Sequence, residues 1–62
     1  MLKIRKLRIS LYCYDSNGKV YKKLDSKPVI KLEEVGSRVI ISLSKQTCLA
    51  VEKSEIANIF IH

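Results

Sequence analysis

Basic and tyrosine side chains recur at alternate positions in the first third of the chain. Together they suit binding to single-stranded nucleic acid, because cations neutralise phosphates and aromatic rings stack on bases at about 1–3 kcal/mol per base. A structural interpretation stays open, since cross-strand tyrosine pairs stabilise hairpins by about 0.2–1 kcal/mol and outward lysines protect sheet edges. Other basic residues nearby in sequence are expected to widen the positive field: Lys3, Arg5, Lys19, Lys22 and Lys27. The predicted nucleic-acid site contains Lys6, Arg8, Tyr12, Tyr14, Tyr21 and Lys23.

No set of side chains in the sequence is typical of an enzyme or a metal centre. The only histidine, His62, is the last residue and is expected to be frayed. Glu33 and Glu34 are adjacent, so on a strand they point to opposite faces and cannot act together on one substrate. Gly18 and Gly36 stand alone, without a phosphate-cradling loop. We therefore expect no enzymatic activity, no catalytic residue, no metal site and no cofactor.

Length and charge narrow the class of protein further. The chain has 62 residues, so it is expected to form one small β-domain over 1–62. A chain of this size buries only about 60% of its unfolded surface, which favours self-association into a homo-oligomer. Twelve Lys and Arg against six Asp and Glu give a net charge of +6. That excess favours a polyanionic partner, although it also serves solubility.

The two cysteines and the first residues bear on the compartment. Cys13 and Cys48 form no Cys-x-x-Cys motif, and we expect both to be free, buried thiols in a reducing environment. A single Cys13–Cys48 disulfide is the alternative. Charged residues interrupt the first eleven positions, and no apolar run reaches about 18 residues, so neither a signal peptide nor a membrane span is expected. The predicted location is cytoplasmic.

A period of two in hydrophobicity predicts strands along nearly the whole chain. Between Lys6 and Tyr14, apolar residues alternate with polar ones. Asn17-Gly18 then predicts a tight hairpin turn. Its loop has two or four residues, and both registers place Tyr12, Tyr14, Tyr21 and Lys23 on one face. In this reading Val20 and Leu24 share the other face.

Later segments continue the same alternation. Strands are expected near 29–35, 39–44 and 47–52, with Ile30, Leu32, Val39, Ile41, Leu43, Leu49 and Val51 facing inward. Ser54 is suited to begin a single helical turn, and the β-branched residues after it favour a short final strand. The predicted fold is all-β: a small five- to six-stranded antiparallel meander, forming an SH3/Sm-like barrel or a strand-swapped sandwich, with at most one short helical turn near the C-terminus.

Two segments resemble a known family of RNA-binding regulators. Residues 30–43 (IKLEEVGSRVIISL) and 49–56 (LAVEKSEI) look like the later strands of the carbon storage regulator (CsrA) family. The resemblance implies a strand-swapped dimer that binds GGA-containing messenger RNA leaders and controls translation. It also implies an RNA contact at Lys53, where that family has an arginine.

A second resemblance is to the Sm-like (Hfq) barrels. Asn17-Gly18 is similar to their first turn, and residues 51–59 (VEKSEIANI) are similar to their Tyr-Lys-His junction, with Lys53 on the lysine and Ser54 on the histidine. This resemblance implies a ring-shaped oligomer that binds single-stranded RNA.

The predicted function is therefore a non-enzymatic, nucleic-acid-binding regulator, with single-stranded RNA as the preferred partner. Lys6, Arg8 and Lys23 would contact phosphates, and the three tyrosines would stack on bases. The alternative is a protein–protein interaction module, such as a small phage or accessory protein that inhibits or assembles with a larger partner. An open sheet edge could then add a strand to the partner's sheet.

Overall fold

The computed structural model describes residues 7–62 and is built almost entirely of strands, which confirms the all-β prediction. The six strands are β1 (Leu7–Tyr14), β2 (Val20–Val29), β3 (Lys31–Val35), β4 (Arg38–Ser42), β5 (Cys48–Glu52) and β6 (Ile56–Ile61). One 3-10 turn, Lys53–Glu55, precedes β6 and confirms the helical turn predicted near Ser54. In the part of the chain from 7 to 62, no helix has the length and apolar character needed to cross a membrane.

The strands form two antiparallel sheets of three strands each. One sheet has the order β2-β1-β6, and the other has the order β3-β4-β5. Only Ile30 separates β2 from β3, so the chain passes from one sheet into the other at that residue. The 3-10 turn between β5 and β6 returns it to the first sheet. The last strand, β6, therefore lies beside the first, β1.

The core lies between the two sheets. Alternation along β1 places Ile9, Leu11 and Cys13 inward, where they are at most 1% exposed, and Ile41 and Val51 meet them from the second sheet. Two predicted side-chain directions are wrong, Ile30 facing inward and Val20 sharing a face with Leu24. Ile30 is 63% exposed because the chain is crossing between sheets there, and Val20 is 54% exposed because it lies on the opposite face from Leu24.

The cysteines are free, as predicted, but only one of them is buried. Cys13 belongs to the core, whereas Cys48 is exposed. Cys48 begins β5 opposite Ser42, on the side of the second sheet that faces away from the core, so the prediction that it is buried is wrong.

The turn between β1 and β2 has three residues, not two or four. Gly18 N–H donates to the Asp15 carbonyl at 3.0 Å, and Asp15 N–H donates to the Lys19 carbonyl at 2.8 Å. The Asp15 carboxylate also accepts from the N–H groups of Asn17 and Lys19. Gly18 has a φ of 79°, the left-handed conformation that closes this kind of loop. The loop sets Tyr14 opposite Val20 and Cys13 opposite Tyr21.

Two irregularities interrupt the pairing of β2 with β1. Leu11 lies opposite Leu24 while Tyr12 lies opposite Lys22, so Lys23 is an extra residue. The second irregularity lies between Ile9 and Leu11, where Ser26 adopts a left-handed φ of 47°. Bulges of this kind change which way the following side chains point. Because of them, Leu24 faces the core even though Val20, next to the turn, faces solvent.

Candidate nucleic-acid interface

The outward side of the β2-β1-β6 sheet gathers aromatic, basic and amide side chains. Residues directly opposite each other on antiparallel strands share a face, and alternate residues along one strand do too. Tyr12 lies opposite Lys22 on one side and Asn58 on the other. We call this surface the aromatic face. Its members are Arg8, Ser10, Tyr12 and Tyr14 of β1, Val20 and Lys22 of β2, Asn58 and Phe60 of β6, and His62.

An open hollow of ≈ 490 Å³ lies in the aromatic face. The Tyr12 and Phe60 rings meet edge to face, with centroids 5.7 Å apart and planes at 90°. Tyr14 and Phe60 are 45% and 47% exposed, so both present ring surface to solvent. The hollow is lined by Tyr12, Tyr14, Val20, Ala57, Asn58 and Phe60.

Lys22 supplies a positive charge at one side of this cluster. Its Nζ lies 5.6 Å from the centroid of the Tyr12 ring and 3.5 Å from the Asp25 carboxylate. The nearby Tyr12 side chain, followed by the negative charge of Asp25, raises the pKa of the Lys22 ammonium above its ordinary value. Lys22 therefore keeps its charge at neutral pH. The ion pair with Asp25 is exposed and contributes little.

Arg8 supplies a second positive charge, at the end of β1 away from the turn. Its Nη1 donates to the Ser26 carbonyl at 2.8 Å. Because a guanidinium has five N–H donors in a fixed planar fork, Arg8 can hold this bond and still contact a phosphate. The bond also fixes the side chain against the bulged part of β2.

Ser10 and His62 form a polar cluster beside Arg8. Ser10 is only 6% exposed, and its Oγ accepts from the Ser26 N–H at 3.1 Å and lies 3.0 Å from His62 Nε2. The His62 N–H donates to the Arg8 carbonyl at 2.8 Å. The expectation that His62 is frayed is therefore wrong, since both its backbone and its ring are held.

The structure brings three of the seven predicted site residues onto the aromatic face, namely Arg8, Tyr12 and Tyr14. The prediction that Tyr21 and Lys23 share this face is wrong, because the three-residue turn places Tyr21 opposite Cys13. Lys23 Nζ lies 6.0 Å from the centroid of the Tyr21 ring, on that same opposite side. Lys6 lies outside the described residues.

Lys53 is also separate from the aromatic face. It begins the 3-10 turn, its N–H donates to the Ser37 carbonyl at 2.8 Å, and its ammonium pairs with the Glu34 carboxylate. Its charge is thus partly neutralised by a residue of the second sheet.

Sequence reasoning missed six members of the aromatic face, of which Lys22, Asn58 and Phe60 carry most of its chemistry; the others are Ser10, Val20 and His62. Lys22 was assigned only to the general positive field, and recognising it requires the length of the turn. Asn58 and Phe60 lie in the final segment, where they alternate with Ile59 and Ile61. That alternation could have identified them, had the segment been treated as a strand neighbouring β1.

No protein-family model matches this chain, and neither a curated protein nor a solved structure matches it.

Proposed function

We propose that this protein binds single-stranded RNA through the aromatic face and acts as a small, non-enzymatic regulator. The supporting observation is the open hollow bounded by Tyr12, Tyr14 and Phe60, with the Lys22 ammonium 5.6 Å from the Tyr12 ring. Exposed rings beside cations are the components that single-strand binding uses, with the rings stacking on bases and the cations contacting the backbone.

A single strand fits this surface better than a duplex does. The faces of bases in a duplex are covered by their neighbours, so exposed rings such as Tyr14 and Phe60 can stack only on unpaired bases. The resemblance to the CsrA and Sm-like families supports RNA over DNA. The same resemblance, with exposed apolar residues such as Val35 and Ile61, supports self-association, and the two free thiols support a reducing cytoplasm.

The test is fluorescence anisotropy with a short, unstructured, labelled RNA at about 50 and 200 mM salt, beside single-stranded and duplex DNA of the same sequence. We expect tightest binding to the RNA. Affinity should fall steeply with salt, with a slope of about −0.7 per neutralised phosphate on a single strand. Absence of binding to every nucleic acid, or an affinity independent of salt, would refute the proposal.

Matched variants locate the binding surface. Tyr14 and Tyr21 are similarly exposed, at 45% and 42%, but lie on opposite faces, and Lys22 and Lys23 are adjacent in sequence. We expect Tyr14→Ala and Lys22→Ala to weaken binding, and Tyr21→Ala and Lys23→Ala to leave it nearly unchanged. Equal weakening by both members of a pair would exclude the aromatic face as the binding surface.

A second candidate is the protein-interaction module. It is favoured by apolar side chains exposed away from the aromatic face, such as Ile30 at 63% and Val35 at 53%. In that case Val35→Ser would abolish function in the native host while Tyr14→Ala would leave it intact. The opposite result supports RNA binding.

A further inference from the structure

We propose that the hollow in the aromatic face holds one nucleobase, and that the Asn58 amide selects bases with a keto oxygen at the position of uracil O4 or guanine O6 over cytosine and adenine, which carry an amine at that position. This inference rests on the proposed function, since it names the class of base that the same site takes. Its test is designed to fail separately from RNA binding itself.

The orientation of the Asn58 amide is fixed by its own strand. Asn58 Oδ1 accepts a hydrogen bond from the Ile59 N–H at 3.0 Å. Because a backbone N–H can only donate, the oxygen must face it and the Nδ2 group must point elsewhere. Nδ2 makes no hydrogen bond to any other group in residues 7–62. The amide therefore offers two unused donors at the wall of the hollow.

The pairing of β6 with β1 leaves space for a base beside this amide. Tyr12 lies opposite Asn58 while Cys13 lies opposite Ile56, so Ala57 is an extra residue. Its small side chain lines the hollow together with Val20, Tyr14 and Phe60. A base entering there meets aromatic and aliphatic surface on its faces and Asn58 at its edge. Lys22 and Arg8 lie on the same face and complement the phosphates.

An amide whose oxygen is directed toward its own backbone distinguishes keto from amino bases. Asparagine reads adenine by using both amide atoms at once, accepting from N6 and donating to N7. In Asn58 the bond from the Ile59 N–H turns the oxygen toward the backbone and occupies one of its two lone pairs, whereas both Nδ2 donors are unused within residues 7–62, so donation is what the group chiefly offers a base. Guanine and uracil carry a carbonyl oxygen at the position where adenine and cytosine carry an amine. An N–H donor pairs with the carbonyl and meets only another donor in the amine.

The experiment uses short RNAs with one variable base between abasic positions, set in turn to uracil, guanine, adenine or cytosine. We expect the first two to bind about 2- to 10-fold more tightly than the last two, the contribution of one hydrogen bond. Asn58→Asp keeps the acceptor for Ile59 N–H but removes both donors. Because a carboxylate accepts from an amine and repels a carbonyl oxygen, the preference, measured as a ratio, should disappear or reverse toward adenine and cytosine.

Asn58→Ala removes the amide donors without adding charge or another donor and replaces the aspartate variant if that one does not fold. If the unmodified protein binds RNA with equal affinity for all four bases, this inference is overturned. The proposed function would still stand in that case. A keto preference that survives in both variants would also overturn this inference. If the unmodified protein binds none of these RNAs, the proposed function itself is refuted.

Discussion

Tyr14 and Tyr21 lie on opposite faces of the same hairpin, Tyr14 opposite Val20 and Tyr21 opposite Cys13. Their separation follows from a loop of three residues, because side chains alternate with a period of two and a change of one residue in the register exchanges the faces. The composition of the candidate site therefore depends on Gly18, whose φ of 79° allows that loop to close.

Gly18→Ala should destabilise the protein by about 1–2 kcal/mol, the cost of holding a residue with a Cβ in the left-handed region. A Cβ at Gly18 would meet nothing within 4 Å, so the cost is conformational and not a clash. Urea unfolding measures it. Gly18→Asn is the control and should cost less, since asparagine tolerates this conformation. Equal stability of the alanine and asparagine variants would contradict the account of the turn.

Ile41 and Ile30 provide a matched test of the core. Ile41 is fully buried and Ile30 is 63% exposed. Removing one methylene group as Ile41→Val should lower the free energy of unfolding by about 0.5–1.5 kcal/mol. Ile30→Val should change it by about 0.5 kcal/mol or less. If the Ile30 variant were the less stable of the two in urea, the crossing between the sheets would be misassigned.

Ser10→Ala should be costly for a surface-facing strand residue. It removes the acceptor of the Ser26 N–H and the partner of His62 Nε2 at a site that is 6% exposed. Because these bonds are part-buried, losing them should cost about 1 kcal/mol, measurable by urea unfolding. Ser54→Ala is the control, since Ser54 is exposed in the 3-10 turn, whose N-cap is Glu52. A Ser54 variant as destabilised as the Ser10 variant would contradict this assignment.

Acid should weaken the second sheet through Glu52. Hydrogen bonds from Arg38 Nε at 2.9 Å and then from Ser37 Oγ at 3.1 Å lower the pKa of the Glu52 carboxyl below its ordinary value. Its contribution to stability is therefore present above the ordinary pKa and is lost as the pH falls through the lowered one. Thermal unfolding measured across that pH range should show a smaller fall in melting temperature for Glu52→Gln than for the unmodified protein. Arg38→Gln should flatten the profile similarly, and a profile unchanged in both variants would exclude this contribution.

The two thiols should differ in reactivity. Cys48 is exposed, whereas burial raises the pKa of the Cys13 thiol above its ordinary value, and the thiolate is the reactive form. With a thiol reagent followed by mass spectrometry, we expect rapid modification of Cys48. Cys13 should be modified only as slowly as the fold opens to expose its core. The Cys48→Ser variant should retain a single slow thiol. Two equally fast thiols would contradict the burial of Cys13.

The fold was more predictable than the candidate site, for a physical reason. Inward positions such as Ile9, Leu11 and Val51 follow from alternation within one strand, which survives an error in loop length. Tyr21 and Lys22 depend instead on the register between two strands, and Asn17-Gly18 is compatible with loops of two, three or four residues. The extra residue at Lys23 shifts the in-and-out alternation of side chains along β2 a second time, and nothing in the local sequence indicates this shift. Phe60 and Asn58 join the site only because β6 pairs with β1, a contact between the two ends of the described chain.

The irregular β2 also bears on how copies of this protein meet in concentrated solution. Among residues 7–62, β2 is an outer strand of its sheet and would offer a row of unpaired backbone groups to another chain. Pro28 removes one donor from that row, and the bulges at Lys23 and Ser26 bend the remainder away from straight pairing. The same distortions that assign side chains to the aromatic face thus make this border of the sheet a poor template for fibrous aggregation.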